Sequence, residues 1–235
     1  MNLLVNLQGK KIVVTGAFGS LGTAVTLAAR SAGASVACID FAPATKAPAA
    51  LAGCLLLGDI DLGQPVAATT ALTSATEHLG GLDALVNVAG AFRWERVEEG
   101  DIGTWDLLYN VNVRTAVNAS RAALPLLKRG GAGRIVNIGA AGAIKAASGM
   151  GAYAASKAGV AKLTEALADE VKDNGITVNA VLPSIIDTPV NRADMPTAEF
   201  DRWVKAEQIA DLIVFLLSDR ASAITGALIP ITGRV

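Results

Sequence analysis

Five times between residues 11 and 139 the chain passes through a short apolar stretch, at 11–15, 35–40, 54–59, 84–90 and 134–139, and each time it ends on or beside Gly or Asp. Every gap between these stretches is long enough for a helix. Strands that are apolar along both faces and alternate with helices predict a parallel sheet covered on both sides. Right-handed crossovers then leave little besides a doubly wound α/β arrangement. Further strands at 177–182 and 228–231 bring the expected sheet to about seven. A helix at 153–172 carries Val160, Leu163, Leu167 and Val171 on one face and stops at Asn174-Gly175, a left-handed cap signal. Between 183 and 206 the helical pattern weakens around Pro183, Pro189 and Pro196, so a loop or short-helix lid is expected at about 184–206. No repeat or low-complexity linker divides the chain, and all 235 residues are read as one domain.

The totals exclude several classes of function. Twenty basic residues against twenty-one acidic ones supply no field to hold a nucleic acid. No apolar run reaches the length of a membrane span; the run at 209–217 is too short and contains Asp211. Two cysteines, Cys38 and Cys54, both within apolar stretches read as strands, suit buried thiols in a reducing cytoplasm. The single histidine, His78, sits at the end of a helical segment and reads as a solvated residue, which removes support for triad or histidine-metal chemistry. What remains is a small-molecule substrate and no metal. With 52% hydrophobic residues, subunit contacts are expected to bury part of the surface. The helical segments 101–128 and 153–172, with Ala116, Val117, Ala119, Ala122, Ala158 and Ala161, are the expected contact faces of a homo-oligomer.

Thr15-Gly16-Ala17-Phe18-Gly19-Ser20-Leu21-Gly22 joins the first strand to the first helix in a G-x-x-G-x-x-G array. Glycines there let backbone approach a pyrophosphate, whose charge the helix N-terminus then meets. Gly16, Phe18, Gly19, Ser20, Leu21 and Gly22 are therefore candidate dinucleotide contacts within a Rossmann-type domain. Asp40 ends the second strand about 20 residues on, where a carboxylate accepts both ribose hydroxyls and repels a 2′-phosphate. With Ala17, Phe18 and Phe41 where a phosphate-binding cation would stand, NAD (NADH) is expected over NADP. Asp59-Ile60 at the third strand end is a candidate adenine contact, and equally an ordinary turn cap. Further on, Tyr153 and Lys157 stand four residues apart, on one helical face. A cation beside a phenol favours the phenolate, so Lys157 is expected to tune Tyr153 as an acid/base.

Over essentially its full length the chain resembles the short-chain dehydrogenase/reductase family. Beyond the glycine array and Tyr153/Lys157, Asn87-Val88-Ala89-Gly90 is similar to the family's Asn-Asn-Ala-Gly motif with one substitution, and Asn112 matches its active-site asparagine. The resemblance implies a homotetramer, cofactor contacts at Asn87, Ala89, Gly90 and Pro183, and a water chain from Asn112 to the lysine. It also implies Lys157 on the nicotinamide ribose, Ile186 and Thr188 on the carboxamide, and Ser184 beside the substrate. One departure stands out: the family's serine, thirteen positions before the tyrosine, is Ala140 here. In the loop, the approach Gly149-Met150-Gly151-Ala152-Tyr153 and the segment 182–203, the chain is also similar to dihydropteridine reductases, which carry alanine at that place. The expected reaction is hydride transfer between nicotinamide and a small carbonyl or conjugated C=N substrate. A cofactor-binding sensor with little turnover is the non-enzymatic alternative.

Overall fold

The computed structural model describes residues 5–235. Strand β1 (Lys11–Thr15) leads into helix α1 (Ser20–Ser31), followed by β2 (Ser35–Ile39), β3 (Leu55–Leu57), α2 (Pro65–Leu79) and β4 (Ala84–Asn87). Helices α3 (Ile102–Tyr109) and α4 (Thr115–Gly130) are joined by one π-helical turn at Asn110–Arg114, so the segment expected as one long helix is instead a helix with a widened turn. Then come β5 (Arg134–Ile138), α5 (Gly151–Val171), β6 (Thr177–Pro183), β7 (Ile186–Asp187), α6 (Pro189–Asp194), β8 (Val204–Lys205), α7 (Ala206–Leu217) and β9 (Leu228–Ile231).

Seven strands form one parallel sheet in the order β3-β2-β1-β4-β5-β6-β9. Strand alternation divides the core: Ile12, Val14, Val36 and Cys38 face α1 and α7, whereas Val13, Ala37, Ile39 and Leu85 face α2, α4 and α5. Each face buries aliphatic side chains against helices, which is why the strands read as continuous apolar runs. Strands β7 and β8 form a separate parallel pair at the carboxyl end of β6. They frame the segment expected as a lid. Pro189 begins α6 there rather than interrupting it, because a proline at the first helical position lacks only an N–H that would be unpaired anyway.

A polar chain crosses the second core layer. Asn87 and Asn137 are register partners on β4 and β5, and the Asn87 amide donates 2.9 Å to Asn137 Oδ1 and 3.1 Å to Ser120 Oγ. Asn137 in turn donates 2.9 Å to Thr164 Oγ1 on α5. About two turns earlier on the same helix, Lys157 Nζ donates 2.8 Å to the carbonyl of Ile138, the next residue of β5. Helix α5 is thus tied to a single strand at two adjacent positions, which fixes both its height and its rotation over the sheet. Cys38 lies buried in β2, but Cys54 falls just before β3 rather than within it, and both thiols are free.

The interface expectation needs correction. Ala116, Ala119 and Ala161 are buried by the chain's own packing, and Ala122 and Ala158 are half-buried. The outward apolar side chains of this region are Ile102, Trp105, Leu107, Tyr109 and Val117, of which Leu107 lines the cleft described below. A periodic count of small residues could not separate the face turned toward the sheet from the face turned away.

Candidate active site

Chain order reverses between β2 and β4, which lie on opposite sides of β1. At such a switch point the loops leaving the strand ends diverge and open a crevice. A cleft of about 1600 Å³ lies there. Its floor is Gly16, Gly19, Ser20, Leu21 and Gly22, with Val88, Ala89 and Gly90 from the β4 end. Helix α1 starts with no side-chain cap and no acidic residue in its first turn, so its amide dipoles face the cleft unopposed. Gly22 allows the helix to sit this low: a Cβ there would overlap the Gly16 carbonyl oxygen and stand 2.7 Å from Ala17 Cα. Such a cradle could hold a pyrophosphate, and its donor set fits a dinucleotide.

Asp40 also lines the cleft. Its carboxylate accepts 2.8 Å from the Phe18 amide and 2.9 Å from the Ala42 amide, which orients it while leaving lone pairs for hydroxyl donors. Phe18 itself packs into the core beside α1 rather than lining the cleft. The third strand end differs from expectation as well. Asp59 takes a left-handed φ of 59° and is exposed, whereas Ile60, the other candidate there, lines the cleft together with Asp61 and Leu62. Nor does the Asn87 side chain reach the cleft, being spent on the interior polar chain. Neither the Asp59 turn nor the inward side of Asn87 carries a sequence signal distinct from its neighbours.

Across the cleft, Tyr153 and Lys157 project from the first two turns of α5. Burial pushes the Tyr153 phenol up to about 12 and the Lys157 ammonium down to about 8. Desolvation thus governs both groups, and the expected lowering of the tyrosine by the lysine is not the dominant effect. At neutral pH the phenol holds its proton. Asn112 lies in the π-helical turn, where a widened turn lets its side chain reach sideways. Its amide donates 2.9 Å to Ser156 Oγ and 3.0 Å to the Ala91 carbonyl, and its Oδ1 accepts 2.8 Å from the Ala91 amide. It therefore fastens the loop after β4 to α5, and its Oδ1 and Lys157 Nζ both lie beside Gly90.

Ala140 lines the cleft on the substrate side, buried to 5% exposure, and offers no side-chain donor. Ser184 lines it too, but its hydroxyl donates 2.8 Å to the Thr232 carbonyl. Pro183, Ile186 and Thr188 complete the wall below the lid, where Thr188 also caps α6 by accepting from the Asn191 amide at 3.2 Å. The segment expected as a lid is internally braced: Arg192 makes a two-pronged ion pair with Asp187 at 2.6 and 2.8 Å and lies 4.7 Å from the centre of the Phe200 ring. Several lining residues carried no motif that sequence reasoning could catch: Phe92, Arg93 and Trp94 after β4, Asn110, Val111 and Thr115 around the π-helical turn, and Lys145. All but Lys145 sit within a few residues of a recognised motif, and proximity to Gly90 or Asn112 was the available signal. His78 is exposed in the last turn of α2, and no metal-binding cluster occurs among the described residues.

The buried lysine makes a stability prediction. Its folded pKa lies below the unfolded value, so the folded form carries fewer protons between pH 8 and 10.5 and wild-type stability rises across that window. Lys157→Met removes the desolvation cost. It should raise stability below pH 8 by about 1–3 kcal/mol while abolishing turnover. The gain should close by pH 10.5 in urea unfolding; a gain that persists unchanged at high pH contradicts the electrostatic origin.

A family model described as enoyl-(acyl carrier protein) reductase matches residues 16–233. The chain is 35% identical over 249 residues to 3-oxoacyl-[acyl-carrier-protein] reductase FabG of Pseudomonas aeruginosa, covering 97% of this chain and 98% of that protein. It is 30% identical over 251 residues to D-beta-hydroxybutyrate dehydrogenase of Rhizobium meliloti, covering 95% and 97%. A short-chain dehydrogenase from Burkholderia cenocepacia J2315, solved in complex with NADP, superposes with a TM-score of 0.89 at 36% identity over 97% of this chain and 98% of that one. A short-chain dehydrogenase/reductase from Serratia marcescens superposes at 0.87 with 34% identity, covering 97% and 98%. With the glycine cradle and the Tyr153/Lys157 face meeting across one cleft, the chain belongs to the short-chain dehydrogenase/reductase family of oxidoreductases.

Proposed function

We propose that this protein is an NAD(H)-dependent enzyme that moves hydride between nicotinamide and a small carbonyl or conjugated C=N compound, with Tyr153 as the acid/base. The observation that carries the reading is the half-buried Tyr153 phenol lining the same cleft as Lys157 and the glycine cradle. A bound nicotinamide supplies or takes the hydride. The protein's own task is the proton. Tyr153 donates it to the substrate heteroatom during reduction, and the resulting phenolate has Lys157 one helical turn away to balance it. Lys157, held by the Ile138 carbonyl, is placed to bind the cofactor ribose as well. Pro183, Ile186 and Thr188 flank the nicotinamide end. On this reading, one domain carries both subsites, with 184–206 as its lid, and two free thiols suit a cytoplasmic setting. Among the described residues no helix is long and apolar enough to cross a membrane.

NAD preference rests on Asp40. The Burkholderia relative was solved with NADP, so the argument comes from this chain alone: a carboxylate already oriented by two amides, followed by the exposed Phe41, with no cation among Ala17 and Phe18. A 2′-phosphate there would set two negative groups against each other. NADH should bind more tightly than NADPH by about 1–3 kcal/mol, measured by fluorescence titration, and NADH should be oxidised in the presence of carbonyl and quinonoid acceptors. Equal affinity for NADPH overturns the cofactor assignment. Binding without turnover of any acceptor favours the sensor alternative.

Ala140 bears on the acceptor. Losing a donor aimed at a developing oxyanion costs about 10²- to 10³-fold in rate. That loss weighs on an isolated ketone and far less on a conjugated imine, whose charge spreads. A quinonoid dihydropterin-type acceptor is therefore the second reading. Ala140→Ser should raise kcat/KM on simple ketones by about tenfold or more with little change on quinonoid acceptors. Ordinary ketone turnover in the wild type, unchanged by the substitution, refutes the argument.

We further propose a homo-oligomer, a tetramer in keeping with the family, built on the outward apolar residues Ile102, Trp105, Tyr109 and Val117. Sedimentation at micromolar concentration should show no monomer, and Trp105→Glu should shift the distribution toward smaller species. A wild-type monomer rules the assembly out.

A further inference from the structure

Three consecutive residues, Phe92, Arg93 and Trp94, follow the β4 glycine and all line the cleft. Phe92 stands edge-on to the Tyr153 ring, with centroids 4.9 Å apart and planes at 82°, so this tripeptide borders the reacting phenol directly. Its position is held from both sides. The Trp94 indole donates 3.0 Å to the Ser148 carbonyl, the Glu95 amide donates 2.8 Å to the Gly149 carbonyl, and a Cβ on Gly149 would overlap the indole. Phe92 and Trp94 nonetheless remain 57% and 58% exposed, leaving flat apolar surface open beside the cleft.

Between them, Arg93 Nη1 donates 3.2 Å to the hydroxyl of Thr104, a residue of α3 that is only 1% exposed. That bond fixes the guanidinium at one corner. No carboxylate pairs with it among the described residues: the nearby Asp101 caps α3 by accepting 2.8 Å from the Gly103 amide. Lys145, on the loop after β5, adds a second cation to the lining, also without a carboxylate partner. The acids are distributed the other way. Asp40 and Asp61 follow β2 and β3 on the nucleotide side, and only Asp194, on α6, stands among the lining residues of the substrate side. A planar guanidinium, anchored by a neutral hydroxyl and with donors to spare, is the side chain best suited to grip an oxyacid with two hydrogen bonds.

Building on the enzymatic reading above, we propose that the substrate joins a flat apolar body to an acidic group, a carboxylate, sulfonate or phosphate, which Arg93 binds and Lys145 attracts. Phe92 and Trp94 hold the apolar body against Tyr153. Neither cation takes part in the proton or hydride step, so both are specificity residues.

The test uses 2-naphthoate and 2-naphthamide, which share a ring system and differ in charge. Each is titrated by calorimetry into the full-length protein, with and without saturating NADH. Naphthoate should bind at least tenfold more tightly than naphthamide, and Arg93→Gln should remove most of that preference. Arg93→Lys should restore part of it, since charge survives while the fork does not, and Thr104→Val should weaken naphthoate without affecting naphthamide. Equal binding of acid and amide overturns the proposal. So does an acid preference that survives in the Arg93→Gln/Lys145→Gln double variant, or the absence of millimolar binding by either probe. Failure of NADH to bind instead counts against the cofactor reading, and the acid-to-amide comparison in the cofactor-free protein still decides this one.

Discussion

Everything at the site depends on how α5 is held over β5. A helix packed on a sheet by aliphatic contacts alone can slide or roll by a fraction of a turn at modest cost, because such contacts are non-directional. Here two directional bonds remove that freedom. Thr164 takes the Asn137 amide, and Lys157 reaches the Ile138 carbonyl. Since Asn137 is also bonded to Asn87 on β4, the helix is referenced to the strand whose end carries Ala89 and Gly90. The distance from the glycine cradle to Tyr153 is therefore set through the sheet, not through the loops at its edge.

This arrangement has a cost that the chemistry uses. Lys157 is 5% exposed and has a neutral carbonyl as its partner rather than a carboxylate. A buried ammonium without a counter-ion is destabilising, and its pKa falls to about 8 in response. A carboxylate partner would have been more comfortable electrostatically. It would also have neutralised the charge that, on the proposed reading, balances the Tyr153 phenolate once its proton has left. The neutral anchor positions the lysine and leaves its charge available.

The sheet and most of its helices were legible because parallel strands buried on both faces announce themselves as apolar runs, and because Gly16, Gly19 and Gly22 mark where one strand hands over to a helix. Tyr153, Lys157, Asp40 and Ala140 all face the cleft at the positions their spacing indicated. What was not legible depends on side-chain direction within one strand or turn. Asn87 and Ala89 are two residues apart, yet one side chain joins the interior polar chain while the other residue lines the cleft. Asp59 and Asp61 look alike in sequence, and only the left-handed backbone at Asp59 turns the first to solvent and leaves the second on the lining. The π-helical turn at Asn110–Arg114 likewise follows from packing against α5, and no propensity in Asn-Val-Asn-Val-Arg predicts it.

That turn explains how the Phe92–Trp94 segment is joined to α5. In an unbroken α-helix from α3 through α4, Asn112 would present its amide to a neighbouring turn. The widened turn swings it out so that one side chain bonds both main-chain groups of Ala91 and the hydroxyl of Ser156. Ala91 directly precedes Phe92, and Ser156 directly precedes Lys157. A single amide therefore couples the position of the aromatic wall to that of the proton-handling pair, so a substrate that pushes on Phe92 also bears on α5. On the proposed reading, specificity and proton transfer share one rigid frame, which is what a reaction dependent on a few tenths of an ångström requires.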